Sequence, residues 1–117
     1  MRMSSLRLST LVICSGLGAV ASTVLPMLSA RNGMTLYVFD ADTNGVPSCY
    51  AACALKWPPA LAKTDEAMGK GWSTVKRRDG SLQWTYRNRP LYFYVGDKKT
   101  GDKTGDGIGG KWHIVSQ

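Results

Sequence analysis

Histidine and cysteine are scarce in this chain: the 117 residues hold one histidine, His113, and three cysteines, Cys14, Cys49 and Cys53. A Ser-His-Asp arrangement would have to use His113, and no serine stands in a supporting context. The serine elbow, the phosphate-binding loop, the zinc-protease helix and the dinucleotide fingerprint are all missing. An enzyme is therefore not expected. Acidic residues are few as well, 8 against 15 basic ones. The basic residues come as scattered pairs (Arg77 with Arg78, Arg87 with Arg89, Lys98 with Lys99) and not along one helix face, which argues against nucleic acid as a partner.

The long apolar run is confined to the N-terminus. Residues 1–7 carry Arg2 and Arg7 and no acid, and residues 8–25 are almost wholly apolar or small, the layout of a secretory signal. Small-residue exits stand at Ala19-Val20-Ala21 and at Leu28-Ser29-Ala30, so cleavage is expected after Ala21 or Ala30. The rival reading is an uncleaved membrane anchor, for which the run is long enough but its Ser, Thr and Gly content and Pro26 are unfavourable. Cys14 follows Ile13, where a lipid-modification signal wants a small residue. Residues 1–30 are read as the signal or membrane segment and residues 31–117 as the exported domain, periplasmic or secreted.

Removing residues 1–30 leaves 87 of the 117 residues, a size at which a core alone is marginal and a covalent staple helps. Arg2 and Arg7 leave with the signal, so 13 basic residues face all 8 acids and the body is about +5. That balance suits an anionic envelope surface or an acidic envelope protein as partner. Cys14 leaves too, and the remaining even pair, Cys49 and Cys53, is expected to close in an oxidising compartment.

What the body does hold is a duplication. Leu36-Tyr37-Val38-Phe39-Asp40-Ala41-Asp42 and Leu91-Tyr92-Phe93-Tyr94-Val95-Gly96-Asp97 share Leu-Tyr, an aromatic two places on and an aspartate three beyond it, 55 residues apart. The same offset lays Trp57 on Trp112. Two pseudo-repeats are expected, at about residues 34–59 and 89–115.

Along the chain, residues 34–39 read as a strand covered on both faces, ended by Asp40-Ala41-Asp42-Thr43-Asn44-Gly45. Ser48 is read as an N-cap for a helix of about two turns over residues 49–56, with both cysteines on one face, stopped by Trp57-Pro58-Pro59. Residues 60–71 read as a polar connector. Residues 72–77 and 82–86 flank Arg78-Asp79-Gly80-Ser81, a hairpin signal, and a turn at 87–90 leads into a third meander strand at 91–95. Residues 97–110 form a loop, ordered or flexible, before a last strand at 111–115. The expected fold is mainly β: a small antiparallel β domain of two pseudo-repeats with one short helix, after the N-terminal signal segment.

These residues resemble a known bacterial family, the secreted repeats, also described as predicted lipoproteins with a Tyr-x-(Phe/Trp/Tyr)-x-x-Asp motif. The resemblance covers nearly all of the body and rests on Thr35 to Asp42, Ser48-Cys49-Tyr50-Ala51-Ala52-Cys53-Ala54, Trp57-Pro58-Pro59, Arg78-Asp79-Gly80, Gln83-Trp84-Thr85-Tyr86, Pro90-Leu91-Tyr92-Phe93-Tyr94, Gly96-Asp97 and Gly107-Ile108-Gly109-Gly110-Lys111-Trp112-His113. It implies an exported bacterial envelope protein and no assigned activity. Many relatives look like true lipoproteins, whereas the context of Cys14 departs from that pattern.

Several constellations have a chemical reading beside a structural one. Tyr37, Phe39, Tyr92 and Tyr94 with Trp57 and Trp112 most simply build two equivalent aromatic mini-cores; the rival is a platform for a glycan or quinone-like ligand. Asp42 and Asp97 are read as turn caps, and would need to converge to act as a catalytic pair. Residues 40–45 match the start of a calcium loop, but Ala51 stands where its bidentate glutamate belongs. Cys49 and Cys53 lack the spacing and the following histidine that haem attachment needs. They are read as a structural disulfide, with no cofactor; the alternative is a copper or thiol-redox site of Cys49, Cys53 and His113.

Overall fold

The computed structural model describes residues 27–63 and 68–117. Most of the expected leader, with Cys14 and the exit after Ala21, lies outside the described residues. Among the described residues no helix is long and apolar enough to cross a membrane.

The chain is mainly β. In order it forms β1 (Tyr37–Phe39), α1 (Ala52–Lys56), β2 (Leu61–Ala62), β3 (Trp72–Lys76), β4 (Leu82–Tyr86), β5 (Arg89–Pro90), a 3-10 turn (Ile108–Gly110) and β6 (Trp112–Ile114). β1 and β6 pair in one antiparallel sheet. In the other, β4 takes β3 along one edge and β2 and β5 end to end along the opposite edge.

The β3–β4 hairpin turns where Asp-Gly predicts it: Gly80 has φ 89, and the Ser81 N–H and hydroxyl donate to Asp79 at 2.9 and 2.6 Å. The next turn has Arg87 at φ 49 and Asn88 at φ 67, two left-handed residues that suit the twist of a tight hairpin.

Three expectations change. The helix begins at Ala52, not Cys49, because Ala51 has φ 54 and Ser48 is held by Asp42 instead of capping. The connector over 60–71 contains β2, which pairs with β4. No strand forms over 91–95, where Tyr92 makes only isolated pairs with Tyr37 and Pro59; the short β5 falls instead at the end of the expected 87–90 turn. Pro58, Pro59 and Pro90 have no N–H to donate, so a continuous ladder cannot form there.

The two copies exchange partners. Phe39 of β1 lies opposite Trp112 of β6, and Tyr37 opposite Ile114; moved by the 55-residue offset, the second relation becomes Tyr92 opposite Pro59, which is observed. The Asp40 N–H bonds the Lys111 carbonyl, and its counterpart, the Val95 N–H, bonds the Lys56 carbonyl. Each aromatic strand therefore pairs with the tryptophan segment of the other copy. At the centre Tyr37 and Tyr92 exchange N–H to carbonyl bonds, both of 2.9 Å. The repeats pair within one chain, and neither is a closed unit.

The first copy also starts earlier than its motif. The Leu28 N–H bonds Val115, the Leu36 N–H bonds Leu28, and Ser29 pairs with Thr35. These match the bonds of Trp84 to Ala60 and of Leu91 to Trp84, and the pairing of Thr85 with Pro90. Residues 27–30 are thus the first copy's equivalent of β4, and the boundary expected at residue 30 falls inside that copy. Leu28 is 0% exposed in a core with Leu36, Val38, Ala60, Trp84, Tyr86 and Leu91. Leu28→Ala is expected to cost roughly 2–5 kcal/mol, read as a lower denaturation midpoint; a shift below about 1 kcal/mol would show that residues 27–30 are not part of the folded unit.

Candidate functional site

The duplicated aromatics meet in one place. Tyr37, Trp57, Tyr92 and Trp112 are buried together with Cys49, and Phe39 and Tyr94 pack against them. The two mini-cores expected from the repeat are a single shared cluster, because the strand exchange brings both tryptophans to the centre. Trp57 and Trp112 stack at 3.8 Å with planes 1° apart. Phe39 stacks on the outer face of Trp112 at 4.1 Å, and Tyr94 lies 4.3 Å from Trp57. Tyr37 meets Trp57 edge-on at 5.3 Å and Tyr92 meets Trp112 edge-on at 5.2 Å. A four-ring stack with a tyrosine against each inner ring is the result.

The polar half of the motif is exchanged as well. The Tyr37 hydroxyl donates to Asp97 at 2.7 Å, and the Tyr92 hydroxyl donates to Asp42 at 2.9 Å. Each aspartate's other oxygen accepts two bonds from the loop that follows it. Ser48 gives Asp42 its N–H at 2.8 Å and its hydroxyl at 2.6 Å; Thr104 gives Asp97 the same pair at 2.9 and 2.6 Å. Tyr37 oxygen accepts the Gly105 N–H at 3.1 Å, and Tyr92 is bonded in the same way by the backbone at Cys49. Gly105 is required by close approach, since a Cβ there would stand 2.7 Å from Trp57.

Burial raises both phenols above the ordinary tyrosine range, and the neighbouring aspartate, Asp97 for Tyr37 and Asp42 for Tyr92, raises them further. They are hydrogen-bond donors at neutral pH and not bases. The two aspartates cap turns, as read from the sequence, but each also closes the other copy's tyrosine. Ser48 and Thr104 were not legible as partners, since a hydroxyl six or seven residues past an aspartate has no distinctive pattern.

Cys49 and Cys53 form a disulfide, Cα to Cα 5.2 Å, with Cys49 buried and outside the helix. The sequence separation is only 4, so Cys49→Ser is expected to cost about 2 kcal/mol, the low end for a disulfide. Wild type under reductant should fall to the same denaturation midpoint, and an unmoved midpoint would remove the staple from the account. His113 lies elsewhere in the bonding pattern: its Nε2 sits 2.9 Å from Asp40, which also faces Arg89 at 3.5 Å. Among the described residues no three His, Cys, Asp or Glu side chains converge as a metal site.

One of the scattered basic pairs is split between surface and interior. Arg77 is buried, donating to the Gln83 amide oxygen at 2.6 Å and to the Cys49 carbonyl at 3.0 Å, and it lies over the Tyr50 ring at 4.2 Å. Its partners are neutral acceptors and a π-face, so the charge is held by dipoles.

A duplicated β unit whose motif residues are shared between its copies is a tandem-repeat protein in which the motif holds the repeats together. The family profile matching this chain, described as a secreted repeat of unknown function, covers residues 21–61 and 73–116, and the chain belongs to that family. No curated protein and no solved structure matches it.

Proposed function

We propose that this secreted repeat protein is a non-catalytic envelope module that binds anionic surfaces, with the exchanged repeats as its scaffold. One observation carries the reading: among the described residues, the acids are consumed by the fold while the lysines are displayed. Asp42 and Asp97 close the tyrosines, and Asp79 and Asp102 cap turns through backbone N–H groups. Asp106 accepts the Ile114 N–H, and Asp40 faces His113 and Arg89. Lys56, Lys70, Lys76, Lys99, Lys103 and Lys111 are all exposed. The motif tyrosines and aspartates saturate one another, which leaves no activated nucleophile or open base among them.

Export proceeds in this reading through the apolar leader, removed after Ala21 and not after Ala30, because residues 27–30 carry core contacts. The protein should co-sediment with vesicles containing anionic phospholipid and not with zwitterionic ones. The charge reversals Lys99→Glu and Lys103→Glu together should weaken that binding several-fold, and rising salt should abolish it. Equal partition to both vesicle types, or to neither, would overturn the anionic-surface reading.

A further inference from the structure

The two copies share a backbone pairing but present different surfaces on it. In the first, the Asp40 N–H bonds the Lys111 carbonyl, and the Asp40 carboxylate faces His113 and Arg89. In the second, the Val95 N–H bonds the Lys56 carbonyl at 3.0 Å, so a valine stands where the first copy has an acid. Gly110 precedes Lys111, whereas Leu55 precedes Lys56. Trp57 and Tyr94 turn inward to meet at 4.3 Å, which leaves their neighbours Lys56 and Val95 on the outside. Leu55 is 77% exposed and Val95 45%. Neither belongs to a core cluster, and α1 buries no residue. The Cys49–Cys53 disulfide nevertheless pins α1 in place, so its leucine is held outward by a fixed element.

Cations frame this apolar pair. Lys98 Nζ donates to the Val95 carbonyl at 3.0 Å, Lys56 adjoins Leu55 in sequence, and Lys99 and Lys103 follow in the same loop, all four exposed. The loop's acids face its own backbone: Asp97 holds Tyr37 and Thr104, and Asp102 accepts the Lys98 and Lys99 N–H groups. Single exposed apolar residues are ordinary on a protein surface. A leucine and a valine on adjoining backbone among lysines match something more specific, the interface of an anionic bilayer, where apolar side chains sink below the headgroups and ammonium groups meet the phosphates. We infer that Leu55 and Val95 are the point of insertion into an anionic phospholipid bilayer, with Lys56 and Lys98 seated among its headgroups. The inference rests on the anionic-surface reading and locates its contact. Two side chains are too few to hold the protein once salt screens the lysines, so insertion adds affinity without making it salt-resistant.

The test is co-sedimentation of the exported protein with vesicles of mixed phosphatidylglycerol and phosphatidylcholine, with the oligomeric state read by sedimentation velocity. Leu55→Ser with Val95→Ser should weaken binding about fivefold and leave the denaturation midpoint unmoved. Leu55→Ser alone should weaken it about threefold, which keeps the inference testable if the double variant fails to fold. Leu55→Trp should bind about threefold more tightly, because indole favours the membrane interface. Damage to the fold could not produce that gain. Wild-type affinity in a folded serine variant would overturn the insertion, and so would a wild-type dimer that these substitutions split, since the face would then belong to a second copy. In both cases binding of wild type to the anionic vesicles would leave the anionic-surface reading standing. Failure of wild type to bind them would overturn both.

Discussion

Replacing Trp112 by alanine is expected to cost about 3–5 kcal/mol and to leave the protein largely unfolded at physiological temperature. The indole is 6% exposed and is gripped on both faces, by Phe39 at 4.1 Å and Trp57 at 3.8 Å, with Tyr92 edge-on at 5.2 Å. Its removal opens the middle of the stack, and the neighbours cannot collapse into the space without breaking the β1–β6 pairing that places Phe39 opposite it. The exchange of strands adds a second cost, since the pairing of the two copies runs through this ring. Trp57→Ala, in the matching position, should behave alike. Urea denaturation followed by circular dichroism decides the point. A loss under about 1.5 kcal/mol would mean that the stack is not the core of the fold.

Asp97→Ala comes next, at roughly 3 kcal/mol. It strips partners from the buried Tyr37 hydroxyl and from the Thr104 N–H and hydroxyl in one step; the buried phenol left without its acceptor costs about 1–3 kcal/mol, and the loss of the loop bonds to the exposed Thr104 adds to it. Asp42→Ala should cost less, because Asp42 is only half-buried and water can replace it. The cross-pairing makes a sharper claim. In a double-mutant cycle Asp97 should couple with Tyr37, 60 residues away in sequence, and not with Tyr92 of its own copy. Coupling that stays within a copy would contradict the exchanged arrangement.

The same pairs set an alkaline limit. Both phenols are raised above the ordinary value of 10.0 in the folded protein, so folding favours the neutral form. The unfolded chain releases those protons near pH 10, and the stability that the pairs contribute is complete below that pH and lost as the pH rises beyond it. Tyrosinate absorbance should therefore appear for these two residues only as the protein unfolds. Tyr37→Phe and Tyr92→Phe together should flatten the alkaline loss of stability.

Much of this was readable in advance, and the reason is local chemistry. Asp79-Gly80 makes a hairpin because glycine accepts the left-handed conformation and aspartate bonds its own turn. The aromatic alternation at Tyr37 and Phe39 is a strand signal, and Cys49 with Cys53 is an even pair in an exported chain. The helix was misplaced by three residues because Asp42, six residues back, holds Ser48 and Tyr92, distant in sequence, bonds the backbone at Cys49, which keeps both away from helical geometry. The burial of Arg77 is not legible in the sequence, because nothing in Arg77-Arg78 distinguishes the two. Only the fold turns one toward Gln83.

By itself, the sequence determined that there are two copies, where the β3–β4 hairpin and the first aromatic strand lie, and that tyrosine, tryptophan and aspartate recur in register. It could not determine which tyrosine bonds which aspartate. A repeat offset is the same whether partners lie within a copy or across copies. That choice belonged to the tertiary structure, where β1 pairs with β6 and Tyr92 with Pro59, so that both indoles are sealed in one stack instead of each half-covered in its own copy.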